Sequence, residues 1–295
     1  MSVRTVTMGR MLITPLVGSD RASLLQQLVQ VETDLKNIRG RAPGAADLFN
    51  EYLRWANEAV RMLRHSLREA DLERLVLTKR YWTIQAMATG PVDMARNLVE
   101  VEIDDRTTLF ELALQTTRTE FKRWDERGRM VVADTSFFHQ HSDKLDETDL
   151  SKVIGSREAP ISLVVPMVII DELERQKNAS QKELRWRSGV TLAVIERVAG
   201  HSGSGRLREA DFSALERGEI PSGEHWIDIL FDLPGHVRLS INDDEIVDRA
   251  LAVQLLSAKP VTFLTYDTNQ ALRARHAGLE SVLKLRKDKS DSADG

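Results

Sequence analysis

The chain of 295 residues contains no cysteine. This absence excludes disulfide scaffolds, thiolate zinc sites and cysteine nucleophiles together. Any metal ion must therefore be held by oxygen ligands or by imidazole. The sequence also has no apolar run approaching the roughly 18 residues of a membrane span, and its N-terminus lacks the charged-then-apolar order of a signal peptide. We therefore expect a cytoplasmic protein with no membrane partner.

A strong excess of charge of either sign is also missing. The formal net charge of −4 gives no general attraction to nucleic acid, so any such binding must use local basic patches. A hydrophobic content of 42% and a charged content of 29% are ordinary for a globular chain. The length is comfortable for two domains.

The first part of the chain is predicted to be helical. Apolar residues recur at helical spacing in four stretches. Ser19–Asp20 can cap the first helix, the second begins near Asp47, the third spans Leu67–Ile84, and the fourth follows Asp104–Thr108. We therefore predict that residues 1–128 form an α-helical domain, either a bundle or an antiparallel arm.

The pattern changes after the polar, glycine-containing segment Asp125–Arg129, which we take as the domain boundary. Strands and helices now alternate, and continuous apolar strands favour a buried parallel sheet in an α/β domain over residues 129–286. His201–Gly205 is predicted to be a flexible loop, and residues 287–295 a disordered tail. The predicted strands are Met130–Ala133, Ser162–Val165, Trp226–Leu230 and Val261–Thr265, and the predicted helices are Met167–Lys177, Lys182–Ala199, Asp243–Ala258 and Thr268–Ala277.

Four acidic residues stand at the junctions of these elements. Asp134 and Asp267 follow strands, and the carboxyl ends of parallel strands share one edge of a sheet. Glu172 and Asp243 lie in helices that leave from the same edge. Four carboxylates in one cleft would raise one another's pKa values, and a divalent cation relieves this repulsion. Because all four are hard oxygen ligands, we predict a Mg²⁺ or Mn²⁺ site.

Such a site indicates phosphodiester hydrolysis, because a divalent cation can activate water and stabilise charge on a phosphate. Thr265 and Ser136 could orient a carboxylate, and Asn269 could hydrogen-bond a phosphate or a neighbouring acid. An aspartate at a helix start is often only a cap. Asp171 and Asp244 are interpreted in this way, although Asp244 could also replace Asp243 as a ligand.

Several segments resemble the PIN domain, the metal-dependent nuclease family that includes VapC-type toxins and the nuclease modules joined to PhoH-type ATPases. The resemblance implies a PIN-like three-layer fold with a central parallel sheet, here preceded by an all-α domain. It also implies that Asp134, Glu172, Asp243 and Asp267 bind the metal, with Thr265 in support. The matching segments are Val132–Phe138, Val165–Lys177, Asn242–Ala250, Phe263–Asn269 and Ala277–Leu279.

The chain departs from the small toxins of the family in one respect. The interval between Glu172 and Asp243 is long, which predicts an inserted loop near His201–Glu219 and weakens the case for a toxin role. The helical first part carries no resemblance to a named family.

Basic side chains follow Glu172 and could neutralise the phosphates of RNA. Trp186, in the same stretch, either stacks on a base or packs under a loop. His139 and His141 are expected to make local hydrogen bonds rather than bind metal. The predicted RNA-binding residues are Arg175, Lys177, Lys182, Arg185, Arg187 and Arg273.

The preferred hypothesis is a Mg²⁺- or Mn²⁺-dependent endoribonuclease that cuts single-stranded RNA, whose exposed backbone can enter a cleft without melting. Its helical domain would position RNA, recruit a protein partner or form a homo-oligomer. The alternative is a PIN-fold module without turnover, serving as an RNA-binding or assembly platform. A haloacid-dehalogenase-like phosphatase is disfavoured, because Ser136 occupies the position where that family needs a second aspartate.

Overall fold

The computed structural model describes residues 11–16, 19–42, 44–87, 92–156, 160–218, 221–232 and 236–286. The chain divides into two compact units, Met1–Arg123 and Trp124–Gly295. The predicted domain limits of 1–128 and 129–286 stay predictions, and the predicted tail 287–295 lies outside the described residues. Over the described ranges, no helix combines the length and apolar character needed to cross a bilayer.

The first unit is built from helices. Their order follows the chain: α1 Arg21–Arg41, α2 Ala45–Leu63, α3 Glu69–Leu75, α4 Lys79–Ala86 and α5 Val92–Asp125.

Helix α1 begins where the sequence predicts. The Asp20 side chain caps it by accepting a hydrogen bond of 2.7 Å from the Ser23 backbone N–H. Its apolar stripe, Leu24 to Leu35, is buried. The helix is joined to α2 by the indole of Trp55, which donates to the Val31 carbonyl at 2.9 Å. The helical character predicted for this part of the chain is confirmed.

Two helix boundaries in this unit were predicted wrongly. The stretch Leu67–Ile84 forms α3 and α4 rather than one helix. The Thr78 side chain explains the break, because it caps α4 by accepting from the Tyr81 N–H at 3.0 Å. Apolar spacing continues across the break and hides it. Helix α5 begins at Val92, well before the pattern that followed Asp104–Thr108.

The second unit contains a six-stranded sheet in the order β3-β4-β2-β1-β5-β6. All neighbouring strands are parallel except β3 and β4, which are antiparallel. The parallel sheet predicted for this part of the chain is confirmed, with one antiparallel edge strand added. The strands are β1 Arg129–Ala133, β2 Ile161–Pro166, β3 Ser204–Arg208, β4 His225–Leu230, β5 Val261–Thr265 and β6 Ser281–Lys284.

Helices alternate with these strands along the chain. Those predicted from the sequence begin and end within one residue of the observed ones, whereas α7 and the short strand β6 were not predicted. The helices are α6 Thr135–Gln140, α7 Leu150–Ile154, α8 Met167–Gln176, α9 Lys182–Ala199, α10 Asn242–Ser257 and α11 Thr268–His276.

The central strand β1 determines where a site can form. Its chain neighbour β2 lies on one side and β5 on the other, so the direction of strand addition reverses at β1. A crevice opens at the carboxyl ends of the strands at such a switch point. The side chains from Met130 to Ala133 are apolar and buried. From β1, it is therefore the residue after the strand, Asp134, that presents a polar group at this crevice.

The flexible loop predicted over His201–Gly205 is wrong for its second half, because β3 begins at Ser204. A Cβ atom on Gly205 would lie 1.8 Å from the Val198 carbonyl oxygen, so glycine allows the edge strand to approach α9 closely. The predicted insertion near His201–Glu219 holds β3 and a 3-10 helix, Ser213–Arg217, within its described part.

Candidate active site

Asp134 lies at the carboxyl end of β1 and caps α6. It is 4% exposed. Its Oδ1 accepts hydrogen bonds from the Ser136 hydroxyl at 2.6 Å and from the Phe137 N–H at 3.2 Å. Burial raises the pKa of Asp134 to about 6, against the lowering effect of these hydrogen bonds, and the charge of Asp267 adds to the rise. Such a buried carboxyl at a strand end is the kind of group that a cation would stabilise in its ionised form.

Thr265 and Ser136 connect Asp134 to the end of β5. The Thr265 hydroxyl donates to Asp134 Oδ2 at 2.5 Å and accepts from the Asp267 N–H at 2.8 Å. The Ser136 hydroxyl accepts from the Tyr266 N–H at 2.9 Å. Both hydroxyls therefore fix the carboxylate of Asp134 and the loop that carries Asp267.

Glu172 lies in α8 and is held at both of its oxygens. The Asn242 amide donates to Oε1 at 2.7 Å, and the Thr135 hydroxyl donates to Oε2. Arg175, one turn further along α8, approaches Oε1 at 3.9 Å. Neither Asn242 nor Thr135 was singled out from the sequence. The sequence offered one indication of their role, because Asn242 adjoins Asp243 and Thr135 adjoins Asp134.

Asp243 lies in the first turn of α10. Burial is the main cause of its raised pKa; the Arg273 charge opposes this rise, and the charges of Glu172 and Asp267 add to it. Since Asp267 also acts on the pKa of Asp134, these pairwise effects connect all four predicted acids. Hydrogen bonds support this proximity, because Thr265 contacts both Asp134 and the main chain of Asp267, and Glu172 accepts from the residues next to Asp134 and Asp243.

Asp244 and Asp267 have structural partners as well. Asp244 forms an ion pair with Arg273, which satisfies its carboxylate outside the group of four acids. Asp267 is exposed and caps α11 by accepting from the N–H groups of Asn269 at 2.6 Å and Gln270 at 3.4 Å. Asp243 is therefore better placed than Asp244 to act with Glu172, and Asn269 is exposed beside Asp267.

The chemistry of these donors fits a divalent cation. All four are carboxylates, which suit Mg²⁺ and Mn²⁺. Among the described residues, one group of three potential ligands has all its ligand atoms within 4.8 Å of one another, and it includes none of these four acids. The four acids are therefore not packed as a closed cage. Mg²⁺ keeps several waters and binds directly to only one or two carboxylates, which an open arrangement accommodates.

That other group consists of Asp232, His236 and Glu245. By composition and spacing it could hold a metal ion. His236 Nε2 lies 2.7 Å from Glu245 Oε1, while Arg249 approaches the same oxygen at 3.4 Å and Arg238 pairs with Asp232 at 2.6 Å. The two guanidinium groups already neutralise the acids, so the group is explained as an ion-pair network that fastens the segment before α10.

The basic residues predicted to bind RNA lie on α8, α9 and α11. Arg175 and Lys177 are exposed at the end of α8, where Lys177 pairs with Glu174 at 3.6 Å. Lys182 and Arg185 are exposed in the first turn of α9. Arg273 differs from these residues, because its guanidinium forms an ion pair with Asp244.

His139 and His141 make the local contacts expected of them. His139 Nε2 lies 3.1 Å from the Ser188 hydroxyl, and burial lowers the pKa of His139. His141 Nδ1 lies 3.1 Å from the Tyr266 hydroxyl. The ring of His141 stacks on Phe137, with centroids 5.0 Å apart.

Comparison with known proteins gives one family assignment. A family model described as a PIN domain matches residues 131–283, which is more than half of the chain and contains all four acids. No curated protein matches the sequence.

Proposed function

The chain belongs to the PIN domain family, whose members are generally metal-dependent nucleases, and on this premise we propose that it is a ribonuclease that cuts single-stranded RNA internally. The observation that carries the proposal is a set of hydrogen bonds that links the predicted ligands at the carboxyl edge of the sheet. Thr265 joins Asp134 to the main chain of Asp267. Thr135 and Asn242, which adjoin Asp134 and Asp243, both donate to Glu172. Mg²⁺ or Mn²⁺ is the proposed cofactor.

The four acids would hold the cation, which when bound supplies an activated water and neutralises charge on the phosphate. Asp134 would be the central ligand, because it is buried and both of its oxygens are oriented by hydroxyl groups. Thr135 and Asn242 would keep the carboxylate of Glu172 facing the same cleft.

The substrate follows from the shape of the edge and from the surrounding charge. Asp267 and Asn269 are exposed at this edge, so an unpaired strand would reach them without the cost of melting a duplex. Exposed cations on α8 and α9 would bind its phosphates. We place the protein in the cytoplasm, and we assign to the helical unit the recruitment of a protein partner or of a second copy.

The test is cleavage of a 5′-labelled, unstructured RNA of about 20 nucleotides with 5 mM Mn²⁺ at pH 7.5, resolved by gel. We expect internal products from the wild type and a loss of at least 100-fold in rate for Asp134→Asn and Asp243→Asn. Glu174→Gln is the matched control, since Glu174 lies exposed on α8 two residues beyond Glu172 and should change the rate less than twofold.

Two results would contradict this function. Cleavage by Asp134→Asn at the wild-type rate would assign the activity elsewhere or to a contaminant. Failure of the wild type to cut any of a panel of RNAs, combined with tight binding to them, would favour the alternative of an inactive RNA-binding module. Binding is measured by fluorescence anisotropy in EDTA, so that it is scored independently of cleavage.

A further inference from the structure

Trp186 is a large aromatic side chain left accessible on a basic helix. It is 49% exposed, although burying an indole would be strongly favourable. It lies in the first turns of α9, one turn after Lys182 and next to Arg185, both of which are exposed. The Arg185 guanidinium donates to the Ala179 carbonyl at 3.2 Å. In this contact a neutral peptide group, and not a carboxylate, accepts the hydrogen bond.

Arg187 contacts one face of the indole. Its guanidinium carbon lies over the Trp186 ring, 5.6 Å from the centroid. Two carbonyls hold it there, because Arg187 donates to Ser142 at 3.2 Å and to Asp143 at 3.4 Å. The cation therefore lies against the ring, while about half of Trp186 stays exposed to a ligand.

The open surface can take a ligand only by stacking. The cavity beside Trp186, lined also by Phe138 and Leu145, has a volume of about 10 Å³. This is room for about one water molecule, and a nucleobase is many times larger. A base must therefore lie on the exposed surface of the indole, outside this cavity.

His139 connects this surface to the acidic group. Its Nε2 lies 3.1 Å from the hydroxyl of Ser188, two residues after Trp186. Thr135, one turn before His139 on the same short helix α6, donates a hydrogen bond to Glu172. The stacking surface is thus joined to a predicted metal ligand through α6.

We propose that Trp186 is the base-stacking subsite of this nuclease, which holds one unpaired nucleotide beside the scissile phosphate with little preference for its identity. The subsite rests on the proposed function for its location, and it adds a reason why single strands are selected. A paired base is stacked inside its duplex and cannot lie on the indole. Every base has a π face, so stacking tolerates all four.

The experiment measures binding and cleavage separately with the full chain. Anisotropy of a fluorescein-labelled 12-nucleotide RNA is titrated in EDTA with wild type, Trp186→Ala and Trp186→Phe. We expect Trp186→Ala to raise the Kd about tenfold, and Trp186→Phe to stay within about threefold of the wild type, because a phenyl ring also stacks. Trp82→Ala is the matched control, since Trp82 is 54% exposed in the helical unit and should leave the Kd unchanged.

Abasic substitution identifies the nucleotide that stacks. A series of 12-mers with one abasic position each should show a single position at which the wild type loses about tenfold in affinity, with no such loss in Trp186→Ala. In cleavage assays Trp186→Ala should raise KM and leave kcat within about threefold, because the residue contacts a base and not the reacting phosphate. A fall in kcat with KM unchanged would overturn the proposal.

The remaining outcomes are decisive in the same way. Equal Kd values for wild type and Trp186→Ala, or no binding of the 12-mer at all, would overturn the subsite even if cleavage persists. Self-association of the wild type that Trp186→Ala abolishes would also overturn it and assign this surface to a protein interface. Binding that depends on Trp186 without any cleavage would support the subsite and contradict the nuclease function.

Discussion

Glu172 shows at the scale of single residues how the site is prepared for a cation. An unpaired carboxylate on a helix surface samples several rotamers, and holding it in one of them costs conformational entropy. Here Thr135 and Asn242, from two other elements, donate to its two oxygens. Partners that orient metal ligands in this way are worth 10- to 100-fold in metal affinity or activity.

We therefore predict that Asn242→Ala weakens Mn²⁺ binding and cleavage by roughly 10- to 100-fold. Isothermal titration calorimetry of Mn²⁺ measures the first, and the rate of RNA cleavage the second. Asn178→Ala is the control, because Asn178 is an exposed asparagine in the turn after α8. Thr135→Ser should retain near-normal values, since it keeps the hydroxyl. Unchanged Mn²⁺ affinity in Asn242→Ala would show that Glu172 needs no such support.

Asp134 illustrates the cost of preparing the site. Its pKa is raised from 3.8 to about 6 by burial. A raised pKa means that the contribution of Asp134 to stability is fully present below pH 3.8 and is lost as the pH rises through about 6. One pKa unit corresponds to about 1.36 kcal/mol, so the free energy of unfolding of the metal-free protein falls by about 3 kcal/mol by pH 7.5.

We accordingly predict that Asp134→Asn stabilises the protein in EDTA at pH 7.5 by up to about 3 kcal/mol, and that this gain falls to about 1 kcal/mol at pH 4.5. Urea denaturation at the two pH values gives both figures. The exposed Glu174→Gln substitution should shift neither. A gain that grows as the pH falls would mean that the carboxylate is favourable in the folded state, contrary to the burial that we describe.

Among the elements, those predicted best are the ones whose signal is local. Strand β5 ends at Thr265 as predicted, because the apolar run stops there and Asp267 caps the next helix. Strand β3 was missed because serine and glycine compose its start, and the need for Gly205 lies in the Val198 carbonyl that it faces. The contact between β3 and α9 is a tertiary one, and the local composition of the sequence does not predict it.

The candidate site likewise has features that local sequence predicts and features that depend on tertiary packing. Asp134 and Asp267 follow strands and Asp243 lies at the start of a helix, where a sequence pattern can single them out, whereas Glu172 lies in the second turn of α8. Their common role as metal ligands stays a prediction. The hydrogen bond from Asn242 to Glu172 spans seventy residues of sequence and depends on how α8 and α10 lie in space. The exposure of Trp186 likewise follows from the packing of α9, and only the structure shows that the indole is not buried under a loop.

At the scale of the whole molecule, the segment between the two predicted domains is part of the α/β unit and not a free linker. Arg127 donates to both oxygens of the buried Asp228, at 2.9 and 3.0 Å, and lies over the Trp226 ring at 4.8 Å. Lys259 donates to three main-chain carbonyls there, among them that of Arg127. Breaking a buried ion pair at one partner costs about 3–5 kcal/mol, because the other charge is left unpaired.

Two fragments that differ by five residues test this reading of the boundary. We predict that residues 124–286 fold cooperatively, and that residues 129–286, cut at the boundary predicted from the sequence, lose about 3–5 kcal/mol or fail to fold. Urea denaturation followed by circular dichroism measures the difference. Within the longer fragment, Arg127→Ala should reproduce most of the loss, whereas Arg129→Ala, at an exposed position two residues on, should cost less than about 0.5 kcal/mol. Equal denaturation midpoints for the two fragments, with Arg127→Ala also unchanged, would show that Asp228 does not depend on Arg127 and that the α/β unit begins at β1.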